Sequence, residues 1–151
     1  MLNRLQAVFA SFHARECRYV VLGGIAAVLH GVPRATFDLD ILIEASPDNA
    51  RRLLDALRDV EMGTADLVTP EEPLAHEITV FNDRVRLDVQ TSTPGLDFAS
   101  AWRRRVTMQY QGQVFYVVSR EDLIASKRAA GRPIDLEDVR SLERSAAGRA
   151  G

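Results

Sequence analysis

Across residues 36–44 the chain alternates: Phe37, Leu39, Ile41 and Ile43 fall on one side, Thr36, Asp38, Asp40, Leu42 and Glu44 on the other. A period of two marks a β-strand with one covered face and one polar face, and it excludes a helix, whose period would scatter these residues around its axis. Residues two apart on a strand point the same way, with backbones about 6.5 to 7 Å apart, so the Asp38 and Asp40 carboxylates can converge on one cation. Without a cation the two charges repel and one carboxyl takes up a proton, a conflict that a hard divalent ion such as Mg²⁺ removes. Asp-x-Asp pairs are common on solvated surfaces, but this pair sits inside an apolar alternation, which favours metal binding.

The other elements follow from the same rules. Leu2, Leu5, Val8, Phe9 and Phe12 recur at helical spacing over residues 1–16, and Tyr19, Val20, Val21 and Leu22 form a β-rich run over 18–22 that Gly23-Gly24 stops. An Ala-rich helix over 25–30 ends at Gly31 and Pro33, and Pro47 opens a helix to about residue 60 with Leu53, Leu54, Leu57 and Val60 inward. Residues 62–73 read as a loop. A hairpin over 77–81 and 85–90 turns at Asn82-Asp83, with Val85, Leu87 and Val89 facing the core and Arg86, Asp88 and Gln90 sharing the polar face. A helix over 97–104, a second hairpin over 106–110 and 114–118 around Gln111-Gly112, and a helix from Ser119 to Ala130 stopped by Gly131 come next. A last helix starts at Asp135 and runs to about residue 146. The expected architecture is therefore α+β, a mixed α/β domain over residues 1–146 with a frayed tail at 147–151.

A chain of 151 residues with 46% hydrophobic content fits one domain, long enough to bury roughly two-thirds of its unfolded surface. Net charge is -2, so any grip on nucleic acid is local rather than by bulk electrostatics. The single Cys17 excludes an internal disulfide and a cysteine-built zinc cluster and suits a reducing, cytoplasmic setting. No apolar run reaches the roughly 18 residues of a membrane span, so no membrane role is expected.

The run Val21-Leu-Gly-Gly-Ile-Ala-Ala-Val-Leu-His-Gly-Val-Pro-Arg-Ala-Thr-Phe-Asp-Leu-Asp-Ile-Leu-Ile-Glu44 resembles the DNA polymerase β-like nucleotidyltransferase superfamily, whose pattern is a glycine turn, a spacer and Asp-x-Asp. Within it the chain is similar to the small AbiEii- and AbiGii-toxin-like proteins. Lys127-Arg-Ala-Ala-Gly-Arg-Pro-Ile-Asp-Leu-Glu-Asp138 resembles that group's C-terminal segment, with Ile134 where a second basic residue is expected.

The resemblance implies a nucleotidyltransferase fold, a mixed sheet flanked by helices with a helical C-terminal end. It implies two Mg²⁺ ions held by Asp38, Asp40 and, as third carboxylate, Asp88, with an NTP as substrate. Gly23 and Gly24 would offer backbone amides to its phosphates, helped by Arg34, Thr36 and Lys127. Arg34 reads equally as half of a structural ion pair, and Lys127 as an ordinary solvated lysine. Asp135 and Asp138 are sufficiently explained as a helix cap and a first-turn carboxylate. His30 reads as a packed or capping histidine. Arg103, Arg104 and Arg105 beside Trp102 form a solvated helix end, with RNA contact the rival reading.

The expected activity is transfer of a nucleoside monophosphate from an NTP to an acceptor hydroxyl, a tRNA for a toxin of this kind. The partner is a cognate antitoxin or toxin protein, and a homodimer can complete the acceptor site. Modification of a protein partner and a non-catalytic nucleotide- or partner-binding module are the alternatives.

Overall fold

A computed structural model describes residues 2–150, with side chains through Ser145. One six-stranded sheet runs in the order β3-β4-β2-β1-β6-β5, where β1 is Tyr19–Leu22, β2 Leu39–Ile43, β3 Ile78–Asn82, β4 Arg86–Gln90, β5 Val106–Tyr110 and β6 Gln113–Val117. The mixed α/β architecture expected from the sequence is the one observed. β1 pairs antiparallel with β2 and parallel with β6, β2 runs parallel to β4, and β3–β4 and β5–β6 are antiparallel hairpins. The second hairpin turns through Gln111 (φ 48°) and Gly112 (φ 81°), consecutive left-handed residues whose twist matches that of the flanking strands.

The helices are α1 (Leu2–Ala14), α2 (Gly23–Leu29), α3 (Pro47–Asp59), α4 (Glu71–Ala75), α5 (Phe98–Arg103), α6 (Arg120–Ala130) and α7 (Pro133–Ala150). The stripe read for α1 is its buried face: Leu5, Val8, Phe9 and Phe12 are inside, and Phe9 stacks on Phe115 of β6 with ring centroids 4.6 Å apart. Side-chain caps start three helices: Ser46 accepts from the Asn49 amide, Asp97 from Ser100 and Ser119 from Asp122. Gly131, at φ 70°, closes α6. Among the described residues no helix is long and apolar enough to cross a membrane.

Several expectations need correction. β2 begins only at Leu39, so Thr36, Phe37 and Asp38 precede the strand and Phe37 is 74% exposed rather than on the core face. The opposite face is not uniformly polar either, because β2 is a central strand with Leu42 fully buried. Residues 62–73 are not a plain loop: a 3-10 helix at Gly63–Leu67 and the start of α4 lie there. Val85 belongs to the turn rather than to β4. α7 starts at Pro133, which its fixed φ favours at a first helical position, and continues past residue 146. The tail expectation falls on residues whose side chains, and Gly151 altogether, lie outside those described.

Candidate active site

β2 and β4 lie side by side in parallel register, and that register sets Asp40 directly beside Asp88. In-register neighbours share a face, so two carboxylates that are 48 positions apart in the chain (40 and 88) meet in one place. Burial first, then the charge of the adjacent Asp88, hydrogen bonding with it and the charge of Asp38 push Asp40 up to about 7, against a smaller opposing pull from Arg86.

Gly23 explains how Asp40 fits. It stands at φ +64°, opening α2 directly after β1, and a Cβ there would overlap the Asp40 Oδ2 oxygen. At Gly24 a Cβ would come within 2.7 Å of Thr36 Oγ1 and 3.2 Å of an Arg34 terminal nitrogen. The two glycines therefore let the 34–40 segment close onto the β1–α2 turn, and Gly23, Gly24, Arg34, Thr36 and Asp40 form one neighbourhood.

Asp38 does not complete a three-carboxylate cluster. Its side chain is 54% exposed, and its Oδ2 lies 4.0 Å from Arg86 Nε, which also donates to Asp88 Oδ1 at 3.1 Å. Among the described residues no group of three or more His, Cys, Asp or Glu side chains is gathered closely enough to hold a metal ion. The expected convergence of Asp38, Asp40 and Asp88 is realised for the last two, because Asp38 sits ahead of the strand and faces a guanidinium.

Facing this pair is a wall from α6 and α7. Lys127 is buried, with Nζ 2.8 Å from Asp138 Oδ2 and 3.7 Å from Asp135 Oδ1. Arg34 Nη2 reaches the same Asp138 oxygen at 3.1 Å, and Arg132 grips Asp135 through Nε at 2.7 Å and Nη2 at 3.2 Å. Burial works against ionisation of Asp135, but Arg132 and Lys127 outweigh it and hold the carboxyl below the usual range. Lys127 is thus not the solvated lysine of the bland reading, and Arg34 takes the ion-pair alternative. Asp135 and Asp138 also do more than cap. The cleft between the walls is about 350 Å³, lined by Gly23, Asp40, Asp88 and Gln90 on one side and Lys127 and Arg132 on the other.

Arg86 and Arg132 are site residues that the sequence left without a role, and Asp135 and Asp138 were read only as a helix cap and a first-turn carboxylate. For Arg86 the signal was present, since residues 86 and 88 share a strand face. Elsewhere, His30 is packed, its Nε2 2.8 Å from the Val118 carbonyl oxygen. Arg104 is bidentate on Asp122, and Arg105 lies 3.8 Å from the Trp102 ring centre, so two arginines of the basic run are committed internally. A hollow of about 490 Å³ over Arg18, Arg52, Trp102 and Tyr116 is larger than the cleft but has Glu16 as its sole lining carboxylate.

A carboxylate pair on neighbouring strands thus lies against a glycine turn and across a cleft from Lys127 and Arg132. The chain belongs to the family described as nucleotidyltransferase of unknown function (DUF6036), which it matches over residues 3–145. Its fold is similar to the crystal structure of an antigenic nucleotidyltransferase-like protein from Paracoccidioides brasiliensis, with a TM-score of 0.58 and 18% identity, covering 93% of this chain and 73% of that one. No curated protein matches it. Family and fold together support nucleotidyl transfer as its general activity.

Proposed function

We propose that the protein transfers a nucleoside monophosphate from an NTP to an acceptor hydroxyl with the help of Mg²⁺, at the cleft between Asp40–Asp88 and Lys127–Arg132. The observation that carries this reading is the Asp40–Asp88 pair. Two carboxyls set side by side by the strand register, where each disfavours the other's ionised form, are an oxygen donor set suited to a hard divalent ion, whose charge would relieve that conflict. Asp40 and Asp88 would hold the metal, with Asp38 joining once it leaves Arg86. Mg²⁺ held there would supply charge neutralisation for the phosphates and would lower the pKa of an attacking hydroxyl.

The chain's own groups supply position. Arg132, with 72% of its side chain exposed at the cleft, is available to the triphosphate, and Lys127 adds a fixed positive charge behind it. As the acceptor oxygen bonds the α-phosphorus, the α–β bridging bond breaks, pyrophosphate leaves and the hydroxyl proton passes to the carboxylate pair. Catalysis is then mainly orientation and charge compensation.

For acceptor and setting we take the 3′ end of a tRNA and a cytoplasmic toxin–antitoxin or phage-defence pair of AbiEii type, with a second copy completing the acceptor surface. This rests on the resemblance of residues 21–44 and 127–138. Each of the four labelled NTPs, incubated with total RNA and Mg²⁺ or Mn²⁺, should leave label on RNA with the native chain and none with Asp40→Asn/Asp88→Asn. Label on a protein instead would move the acceptor to a partner, and no transfer under any condition would remove the proposal.

A further inference from the structure

Arg86 is a cation that the chain itself places against two of the site's carboxylates. It leaves β4 on the same face as Asp88, donates from Nε to Asp88 Oδ1 at 3.1 Å and lies 4.0 Å from Asp38 Oδ2. It thus lies between Asp88, already beside Asp40, and Asp38, the carboxylate that must turn inward for the three to converge. About half of the Arg86 side chain is exposed, so it can swing to solvent without disturbing the strand.

We infer that Arg86 is a tethered counter-cation that a metal must displace, and that it makes the site favour a metal–nucleotide complex over the free ion. The inference deepens the proposed function and rests on it. A free Mg²⁺ competes with a guanidinium that is already in place and cannot diffuse away, and the displaced guanidinium gains no partner. A metal–triphosphate brings its own anion, so the guanidinium released from Asp38 and Asp88 is compensated by phosphate oxygens. Arg86 is accordingly a specificity-determining residue rather than a metal ligand.

The test is calorimetric titration of the full chain with MnCl₂, with and without a non-hydrolysable triphosphate analogue, on the native protein, Arg86→Gln and Arg84→Gln. Arg84 is the control, an exposed arginine paired with Glu61 at 3.1 Å that carries the same charge two residues earlier, in the turn between β3 and β4. Arg86→Gln should bind free Mn²⁺ about tenfold tighter than the native chain, Arg84→Gln within about twofold, and the Arg86→Gln advantage should fall below about threefold with the analogue. Free-ion affinity unchanged or weaker in Arg86→Gln overturns the inference, as does an equal gain in Arg84→Gln or an advantage undiminished by the analogue. If Arg86→Gln does not fold, Arg86→Met carries the same comparison. Binding of the metal–analogue complex with free-ion affinity the same in native chain and Arg86→Gln would defeat this inference alone, whereas no binding of metal or analogue to any variant would defeat the proposed function with it.

Discussion

Asp138 and Asp40 stand on opposite walls of one cleft, and their surroundings could hardly differ more. Asp138 is buried with two cations, Lys127 and Arg34, on one oxygen, and Asp135 beside it is matched by Arg132 and Lys127. Asp40 is half-buried with another carboxylate as its nearest charged neighbour, and the cation in reach, Arg86, is spent on Asp88 and Asp38. On the α6–α7 wall each buried carboxylate is paired with cations of the chain; on the β2–β4 wall the carboxyls crowd around Arg86, whose pull on Asp40 is outweighed by burial and by Asp88. Burying an uncompensated charge is costly, so a wall built that way implies a ligand from outside, whereas a self-satisfied wall implies rigidity.

The contrast breaks most visibly at Asp138. Asp138→Ala leaves the buried Lys127 and the partly exposed Arg34 without their shared acceptor, and removing one partner of a buried pair such as Lys127–Asp138 typically costs ~3–5 kcal/mol. Urea unfolding should register a loss of that size. A loss under about 1 kcal/mol would mean that Asp135 alone suffices and that the wall is looser than the geometry implies.

At Asp40 the sign is opposite and depends on pH. Its folded value lies near 7 against 3.8 for the free side chain, so between those values the folded state binds more protons than the unfolded one. Stability of the metal-free protein therefore falls as pH rises through that window, and the loss is complete above about 7. Asp40→Asn removes the titration. It should be more stable than the native chain at pH 8, on the order of 2 kcal/mol once coupling to Asp88 is allowed for, and no more stable at pH 4. Thermal melts at the two pH values, in chelator, decide it; a mutant destabilised at pH 8 would show that Asp40 is compensated after all.

The acidic wall was legible because its information is local. Alternation around Asp38 and Asp40, an isolated Asp88 among Val85, Leu87 and Val89, and a glycine pair after an apolar run are all short-range patterns. That β2 and β4 lie parallel and in register is set by their pairing, which no local period encodes. The cationic wall stayed hidden for a related reason. Asp135 and Asp138 had adequate local explanations at the start of α7, and only packing of α7 on α6 and the 34–40 segment joins them to Lys127 and Arg34. A local rule that is satisfied gives no sign that a tertiary one is satisfied as well.

Phe37 separates the two kinds of information at the smallest scale. The period of two assigns it to the core with Leu39, Ile41 and Ile43, yet it is 74% exposed while those three are buried. The alternation is real from Leu39 onward and accidental before it, since β2 pairs with β1 only up to Leu22↔Asp40 and residues 36–38 have no partner in that ladder to fix their faces. Phe37→Ser should therefore change stability by less than about 0.5 kcal/mol, against ~2–5 kcal/mol for Leu39→Ala two residues on. Were Phe37→Ser to cost as much as Leu39→Ala, the strand would begin at residue 36 in solution. Asp38 would then point with Asp40 as the alternation demands, and the acidic wall would hold three carboxylates against Arg86 instead of two.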